Sequence, residues 1–292
     1  MQKNKIDSGP KKLKFSFFPG CSLKASGHEN TSSLLRFCNN VGIQLEELND
    51  WNCCGSSSAH SIDHKIAKHL PMRNISLAPE GIPLLIACPS CLIRMKSTYL
   101  KIKNSKELQN EYEEQWQKPF DKNLEIIHFF EIFDRINIEE HINLLQNNLK
   151  GLKIAPYYGC MLSMPPDLRF EKNYYGIMEQ TLEKLGAKIT PFEYSMQCCG
   201  TYLSVAKPGL AQKVVSKIVA GAMEAGAECM VTACAMCHLN LEIRCAVKNP
   251  IPTLHFSELL SIALGEKEQK KWFPRHIVDP VPLLKQKGLL SS

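Results

Sequence analysis

At 292 residues the chain is long enough for two domains, each with its own core. Hydrophobic residues at 44% and charged residues at 22% exclude a disordered or fibrous chain, and a net charge of +6, with lysines at both ends, is too mild to indicate a nucleic-acid partner. No apolar run is long enough to span a bilayer, and Met1–Lys14 lacks the apolar stretch of a secretory signal.

A cytoplasmic protein is therefore expected, and in a reducing compartment thirteen cysteines point to metal or redox chemistry in place of disulfides. Residues 1–13 read as a flexible leader. Lys14–Phe18 is a buried strand ended by Pro19-Gly20-Cys21. Residues 29–41 carry apolar residues at helical spacing up to Gly42, and Ile43–Leu48 is a second strand. A loop with Cys53-Cys54-Gly55 follows, then a helix over 60–78 that Pro71 is expected to interrupt. Leu84–Ala87 is a short strand buried on both faces; it delivers Cys88, and Pro89 opens a helix through Leu92, Met95 and Tyr99. Residues 101–123 extend this helix into a connector. Glu125–Ile127 is a last strand, His128–Phe133 a short helix, and 134–150 a link.

The second half repeats this order. Leu152–Ala155 is a strand, ended by Tyr158-Gly159-Cys160. Residues 171–185 form a helix, Lys188–Thr190 opens a strand, and Cys198-Cys199-Gly200 follows in a loop. Pro208–Glu224 is a helix, and Cys229–Ala233 is a strand ending at Cys234. Leu254–Leu260 echoes the His128 segment. Alternating strands and helices in both halves predict an α/β fold of two pseudo-symmetric domains, 14–150 and 151–265. Each has a mainly parallel sheet, and a tail over 266–292 completes the chain. In such sheets ligands collect beyond the C-terminal strand ends, where all the cysteine groups fall.

Ten cysteines obey one scheme. Each half has a lone cysteine (Cys21; Cys160), a double cysteine before glycine (Cys53, Cys54; Cys198, Cys199) and a Cys-x-x-Cys (Cys88, Cys91; Cys234, Cys237). The intervals are 31 and 37 residues before the double cysteine, and 33 and 34 after it. A Cys-x-x-Cys at a helix start places two thiolates in the field of free N–H groups. Adjacent cysteines face one centre only at a kink, which Gly55 and Gly200 allow. Five thiolates exceed the four of a tetrahedral zinc site or of a cubane cluster, so an unusual iron–sulfur centre is expected. Zinc in one half, or in both as a structural staple, is the alternative.

This pattern resembles the CCG domain, and its tandem form resembles the B subunit of heterodisulfide reductases, over about residues 14–265. The resemblance implies that Cys21, Cys53, Cys54, Cys88 and Cys91 hold one non-cubane 4Fe–4S cluster, and that Cys160, Cys198, Cys199, Cys234 and Cys237 hold a second. It implies two-electron reduction, or the reverse formation, of a disulfide at the clusters themselves, with no side chain assigned to catalysis. It also implies two partners from such complexes: a ferredoxin-like protein of the C-subunit type and a flavin protein of the A-subunit type. No Gly-x-Gly-x-x-Gly and no ferredoxin-like cysteine run occurs, so electrons must come from another chain. Tandem CCG domains also resemble the anchor subunit of certain succinate dehydrogenases and fumarate reductases, which pass electrons to quinone. They further resemble iron–sulfur subunits of lactate or glycolate oxidation, which the complete double cysteine set disfavours.

Other residues have plainer readings. Cys38, Cys229 and Cys245 are expected as buried apolar thiols. His128 and His255 occupy matching places and are expected to cap or pack. His28, His60 and His64 are read as surface groups, and His238 as a neighbour of its cluster. Met161, Met164 and Met236 are read as shielding, whereas Tyr157 and Tyr158 stay open. Prolines 274, 280 and 282 break any long amphipathic helix in the tail. Its Trp272, Phe273, Leu283 and Leu284 are therefore expected to dock on the protein or a partner, with peripheral membrane attachment as the rival.

Overall fold

A computed structural model describes residues 13–56, 59–136, 138, 149, 151–163, 173–266 and 271–290. The expected leader over 1–12, most of the link from 137 to 150, the start of the 171–185 helix, Met164 and the segment 267–270 lie outside the described residues.

Two four-stranded sheets carry the fold, and every pairing between strands is parallel. The first contains β1 (Leu13–Phe18), β2 (Ile43–Glu47), β3 (Leu84–Ile86) and β4 (Ile126–His128) in the order β2-β1-β3-β4. The second contains β5 (Lys153–Tyr157), β6 (Lys188–Ile189), β7 (Cys229–Thr232) and β8 (Thr253–His255) in the order β6-β5-β7-β8. Of the four central strands, β3 and β7 are buried from end to end, as parallel strands covered on both faces require, with Leu84, Leu85 and Ile86 in β3 and Met230 and Val231 in β7, while β1 and β5 are buried beyond their first residues. In each sheet the chain leaves the first strand to one side and returns on the other. The strand order therefore reverses between β1 and β3, and between β5 and β7, and ligands enter at such reversals. Cys21 and Cys88 leave the ends of β1 and β3; Cys160 and Cys234 leave the ends of β5 and β7.

The two halves share one continuous apolar core. The helix His28–Asn40 packs on the helix Phe256–Ala263, where buried Ser33 and Ser257 approach to 2.6 Å between hydroxyls. Phe130 and Phe256 meet edge to face at 5.4 Å between centroids, an arrangement that adds about 1 kcal/mol to simple burial. Among the described residues no helix is long and apolar enough to cross a membrane.

Three features differ from the sequence reading, and the tail takes one of its expected docks, the protein itself. The break in the 60–78 segment falls at Asp63, whose carboxylate accepts from the Lys65 and Ile66 N–H groups at 2.6 and 2.9 Å and so starts a new helix. That helix, His64–Ser76, runs through Pro71, which is buried with Met72, Asn74 and Ile75 against the core. The helix expected over 171–185 covers Ile177–Lys184, with Gly176 at φ 94° before it. Cys21 and Cys160 lie in short helices, Gly20–Lys24 and Gly159–Ser163, and not in open turns. The tail folds back: Trp272, Phe273, Leu284 and Leu289 are buried in the protein's own core.

Candidate metal centre

Each double cysteine is bent by its glycine. Gly55 has φ 76° and Gly200 φ 73°, the left-handed region that side chains resist, and each donates its N–H to the first thiol of its pair, Cys53 or Cys198, at 3.4 Å. Gly55 is needed twice over, because a Cβ there would stand 2.9 Å from the Ala59 methyl. Gly200 has more room, with nothing nearer than 3.8 Å.

The ten thiols are free and form one connected series. In the first half Cys21 meets Cys53 at 3.7 Å and Cys54 meets Cys91 at 3.1 Å, and Cys53 and Cys54, and Cys88 and Cys91, shift each other's titration. In the second half Cys199 meets Cys237 at 3.6 Å, and the same mutual influence links Cys160 to Cys198, Cys198 to Cys199, and Cys234 to Cys237. Cys88 and Cys234, one from each set, lie close enough for each to shift the other's titration. The order along the series is thus palindromic: lone cysteine, double cysteine, Cys-x-x-Cys, then the same motifs reversed. Cys88, Cys91, Cys234 and Cys237 at its middle are buried, whereas Cys21 is exposed and Cys53, Cys160 and Cys198 are half-buried.

Crowded thiols cannot share one protonation state. Contact with Cys21 and Cys54 holds Cys53 down, and contact with Cys198 and Cys237 holds Cys199 down; Cys21 is pushed up first by Cys53, and Cys198 first by Cys160 and then by Cys199. Cys88 is lowered by contact with Cys234 and Cys91. Each half therefore favours a thiolate among thiols, the donor set that soft metals select. The thiols converge without pairing as disulfides, and the backbone leaves room for them: a Cβ on Gly20 would stand 3.0 Å from the Cys91 sulfur, and one on Gly159 3.4 Å from the Cys237 sulfur. On donor type, number and clearance, the residues fit a thiolate-bound iron–sulfur group in each half.

Gly20 and Gly159 thus do more than end their strands, the one role the sequence assigns them. Both halves read Gly-Cys after the first strand, which is a local signal, but which sulfur lies above the glycine is a tertiary fact. Supports beneath the motifs are equally invisible in the sequence. Asn74 clamps Asn52, the residue before Cys53, by a pair of 2.9 Å bonds, and Arg73 reaches the Asn52 side chain at 2.9 Å. In the second half the Tyr157 hydroxyl donates to the Gln197 carbonyl at 2.5 Å, and Asn240 donates to the Cys199 carbonyl at 2.8 Å. Tyr157 is therefore a support; Tyr158 is another, bonded through its hydroxyl to Glu179 and to the Gly176 and Met178 N–H groups.

His128 and His255 each sit at an N-cap in a reciprocal box with Glu131 and Glu258. The His128 ring also bonds the Ala87 carbonyl at 3.2 Å, immediately before Cys88, and the His255 ring meets the Ser257 hydroxyl at 2.7 Å. Burial holds both imidazoles neutral, at about 4 for His128 and about 3 for His255. Cys38 and Cys229 are buried apolar thiols, as expected, while Cys245 is only half-buried. Met161, beside Cys160, is exposed and does not shield the site from solvent.

Comparison with known proteins agrees with this geometry. The profile of the cysteine-rich domain CCG matches residues 15–96 and 154–242. The chain is 29% identical over 280 residues to the 8-methylmenaquinol:fumarate reductase membrane anchor subunit of Wolinella succinogenes, covering 92% of this chain and 98% of that one. It is 26% identical over 269 residues to the B subunit of the ferredoxin/F420H2-dependent CoB–CoM heterodisulfide reductase of Methanosarcina acetivorans, covering 86% and 89%. In fold it is similar to a hypothetical protein from Helicobacter pylori, with a TM-score of 0.68 at 16% identity over 93% of this chain and 53% of that one.

Proposed function

The chain belongs to the CCG cysteine-rich family, and from that premise we propose that it is the two-cluster iron–sulfur component of an oxidoreductase complex that moves electrons in pairs. The observation that carries this reading is the approach of the two five-cysteine sets: the helix Pro89–Lys103, which carries Cys91, packs on Gly159–Ser163, which carries Cys160, and Gly20–Lys24, which carries Cys21, packs on Ala235–Ile243, which carries Cys237. Two one-electron centres side by side suit a substrate that takes two electrons. The substrate class is a disulfide, as the heterodisulfide reductase relatives suggest: R–S–S–R′ with two electrons and two protons gives two thiols. When bound, the clusters supply one electron each. Cys21, Cys53, Cys54, Cys88 and Cys91 hold one, and Cys160, Cys198, Cys199, Cys234 and Cys237 hold the other. Gly55 and Gly200 bend the double cysteines toward them, and Gly20 and Gly159 keep the sulfurs of Cys91 and Cys237 free of a facing methyl group. Because no nucleotide fingerprint and no cubane motif occurs in the chain, electrons come from another chain, and the resemblance to heterodisulfide reductases suggests a ferredoxin-like and a flavin-containing partner.

A second reading has its own support. The fumarate reductase anchor protein matches over 98% of its length, which favours a quinone as the two-electron partner and a flavoprotein dehydrogenase as the neighbour. One experiment separates the readings. The protein is purified anaerobically, its iron and sulfide are counted, and the reduced form is mixed with a disulfide or with a menaquinone analogue while electron paramagnetic resonance is followed. About eight irons per chain and reoxidation by the disulfide support the first reading. Reoxidation by the quinone alone supports the second, and zinc without iron overturns both.

A further inference from the structure

Behind the second cysteine set lies a buried group of a different chemistry. His238 and Glu242 lie one turn apart on the helix Ala235–Ile243, which carries Cys237, and His276 comes from the tail. The His276 Nδ1 is 3.2 Å from Glu242 Oε1, and the His238 Nε2 is 4.0 Å from the same oxygen. The three donor atoms lie within 4.8 Å of one another. We infer that His238, Glu242 and His276 form a cysteine-free site for a divalent transition metal of the zinc type, which fastens the tail to the helix of the Cys-x-x-Cys.

Three observations carry this. Two imidazoles and one carboxylate are a zinc donor set, and imidazole nitrogens exclude calcium and magnesium as the natural occupant. The surroundings are those of ligands held by second partners: His276 Nε2 lies 3.0 Å from Glu258 Oε1, and Glu258 is itself fixed by the His255 N–H at 2.7 Å. His238 Nδ1 faces the Asn30 amide at 3.0 Å, and Asn30, fully buried, has an Oδ1 with no hydrogen-bond partner. Turning that amide over gives its oxygen the His238 Nδ1–H. Nε2 then serves as a ligand once the ring turns it from the Thr253 carbonyl, 2.9 Å away, toward Glu242 Oε1, 4.0 Å away.

Charge completes the argument. Glu242 and Glu258 are both buried, and a proton on His276 still leaves the group with a net charge of about −1. A dication bound by neutral imidazoles balances both carboxylates, and a buried group strongly favours neutrality. The nearby Glu29 does not alter the sum, because Arg275 pairs with it at 3.5 Å.

The test uses the full-length protein and cobalt(II) as a spectroscopic zinc substitute. In wild type, one equivalent of cobalt is expected to give visible ligand-field bands without thiolate charge-transfer bands, displaced by zinc. His276→Gln and Glu242→Gln, on two different elements, are expected to lose those bands and one zinc per chain while keeping wild-type iron and sulfide. Equal metal content in wild type and both variants overturns the inference, as does a wild-type cobalt spectrum with thiolate bands alone; that spectrum decides the matter even if neither variant folds. Iron counts are read in the same samples, so failure of the iron–sulfur reading is seen separately.

Discussion

Cys88 and Cys234 come from opposite halves of the chain, yet at the buried middle of the ten-cysteine series they lie close enough for each to shift the other's titration. Each is also influenced by the second cysteine of its own Cys-x-x-Cys. A change at either position is felt in both sets, whereas a change at the exposed end, Cys21, is felt in one. Cys88→Ser is therefore expected to perturb the paramagnetic signals of both centres. Cys21→Ser should remove at most about half of the iron and leave the second signal intact. Cys38→Ala, which removes a buried thiol away from the series, should leave iron unchanged. Iron counts and electron paramagnetic resonance on the three variants check this.

Gly20 and Gly42 have nearly equal dihedrals, φ 75° and 74°, but different surroundings. A Cβ at Gly42 meets nothing within 4 Å, while one at Gly20 stands 3.0 Å from the Cys91 sulfur. Both alanine variants carry the strain of the left-handed region, about 1 kcal/mol each in denaturant unfolding. Only Gly20→Ala should also lose iron from the first set. Equal iron in the two variants would show that the clearance above Cys91 has no bearing on metal uptake.

These two glycines also mark the boundary of what is legible in the sequence. Motif spacing and apolar runs identify the parallel sheets, because β1, β3, β5 and β7 are buried on both faces and their cysteines follow directly. Contacts between the halves are not legible. Nothing local to Cys88 marks Cys234 as its partner, and nothing local to Asn30 marks His238. Pro71 does not break its helix, because tertiary burial of Met72, Asn74 and Ile75 outweighs one missing N–H. The composition of the tail marks it as a docking segment, but only the fold shows that its dock is the protein itself.

His128 and His255 make stability depend on acid. Burial lowers their folded-state values to about 4 and about 3, against about 6.5 for an unfolded histidine. Between those limits the unfolded chain binds more protons than the folded one, so stability is full above about pH 6.5 and falls as pH drops. Each histidine contributes a slope approaching 1.4 kcal/mol per pH unit near pH 5. His128→Asn retains an N-cap acceptor but cannot titrate, and should flatten the urea-unfolding free energy between about pH 6.5 and 4.5 relative to wild type. An unchanged slope would mean that His128 is charged in the folded protein.

Trp272 tests how firmly the tail belongs to the fold. It is 2% exposed and packs into the core shared by both sheets, whereas Ile277, five residues on, is 60% exposed. Removing a buried indole costs about 3–5 kcal/mol, through lost burial and the cavity left behind. An exposed isoleucine outside any network changes stability by about 0.5 kcal/mol or less. Trp272→Ala is therefore expected to lower the denaturation midpoint steeply and Ile277→Ala to leave it in place. Because His276 on the same segment reaches Glu242 on the helix of Cys237, Trp272→Ala should also make the Cys234–Cys237 pair react faster with a thiol reagent in the metal-free protein, by a larger factor than the Cys88–Cys91 pair. Tm measurements together with thiol mapping by mass spectrometry would separate a tail that merely lies on the surface, which predicts neither change, from one that braces the second cysteine set.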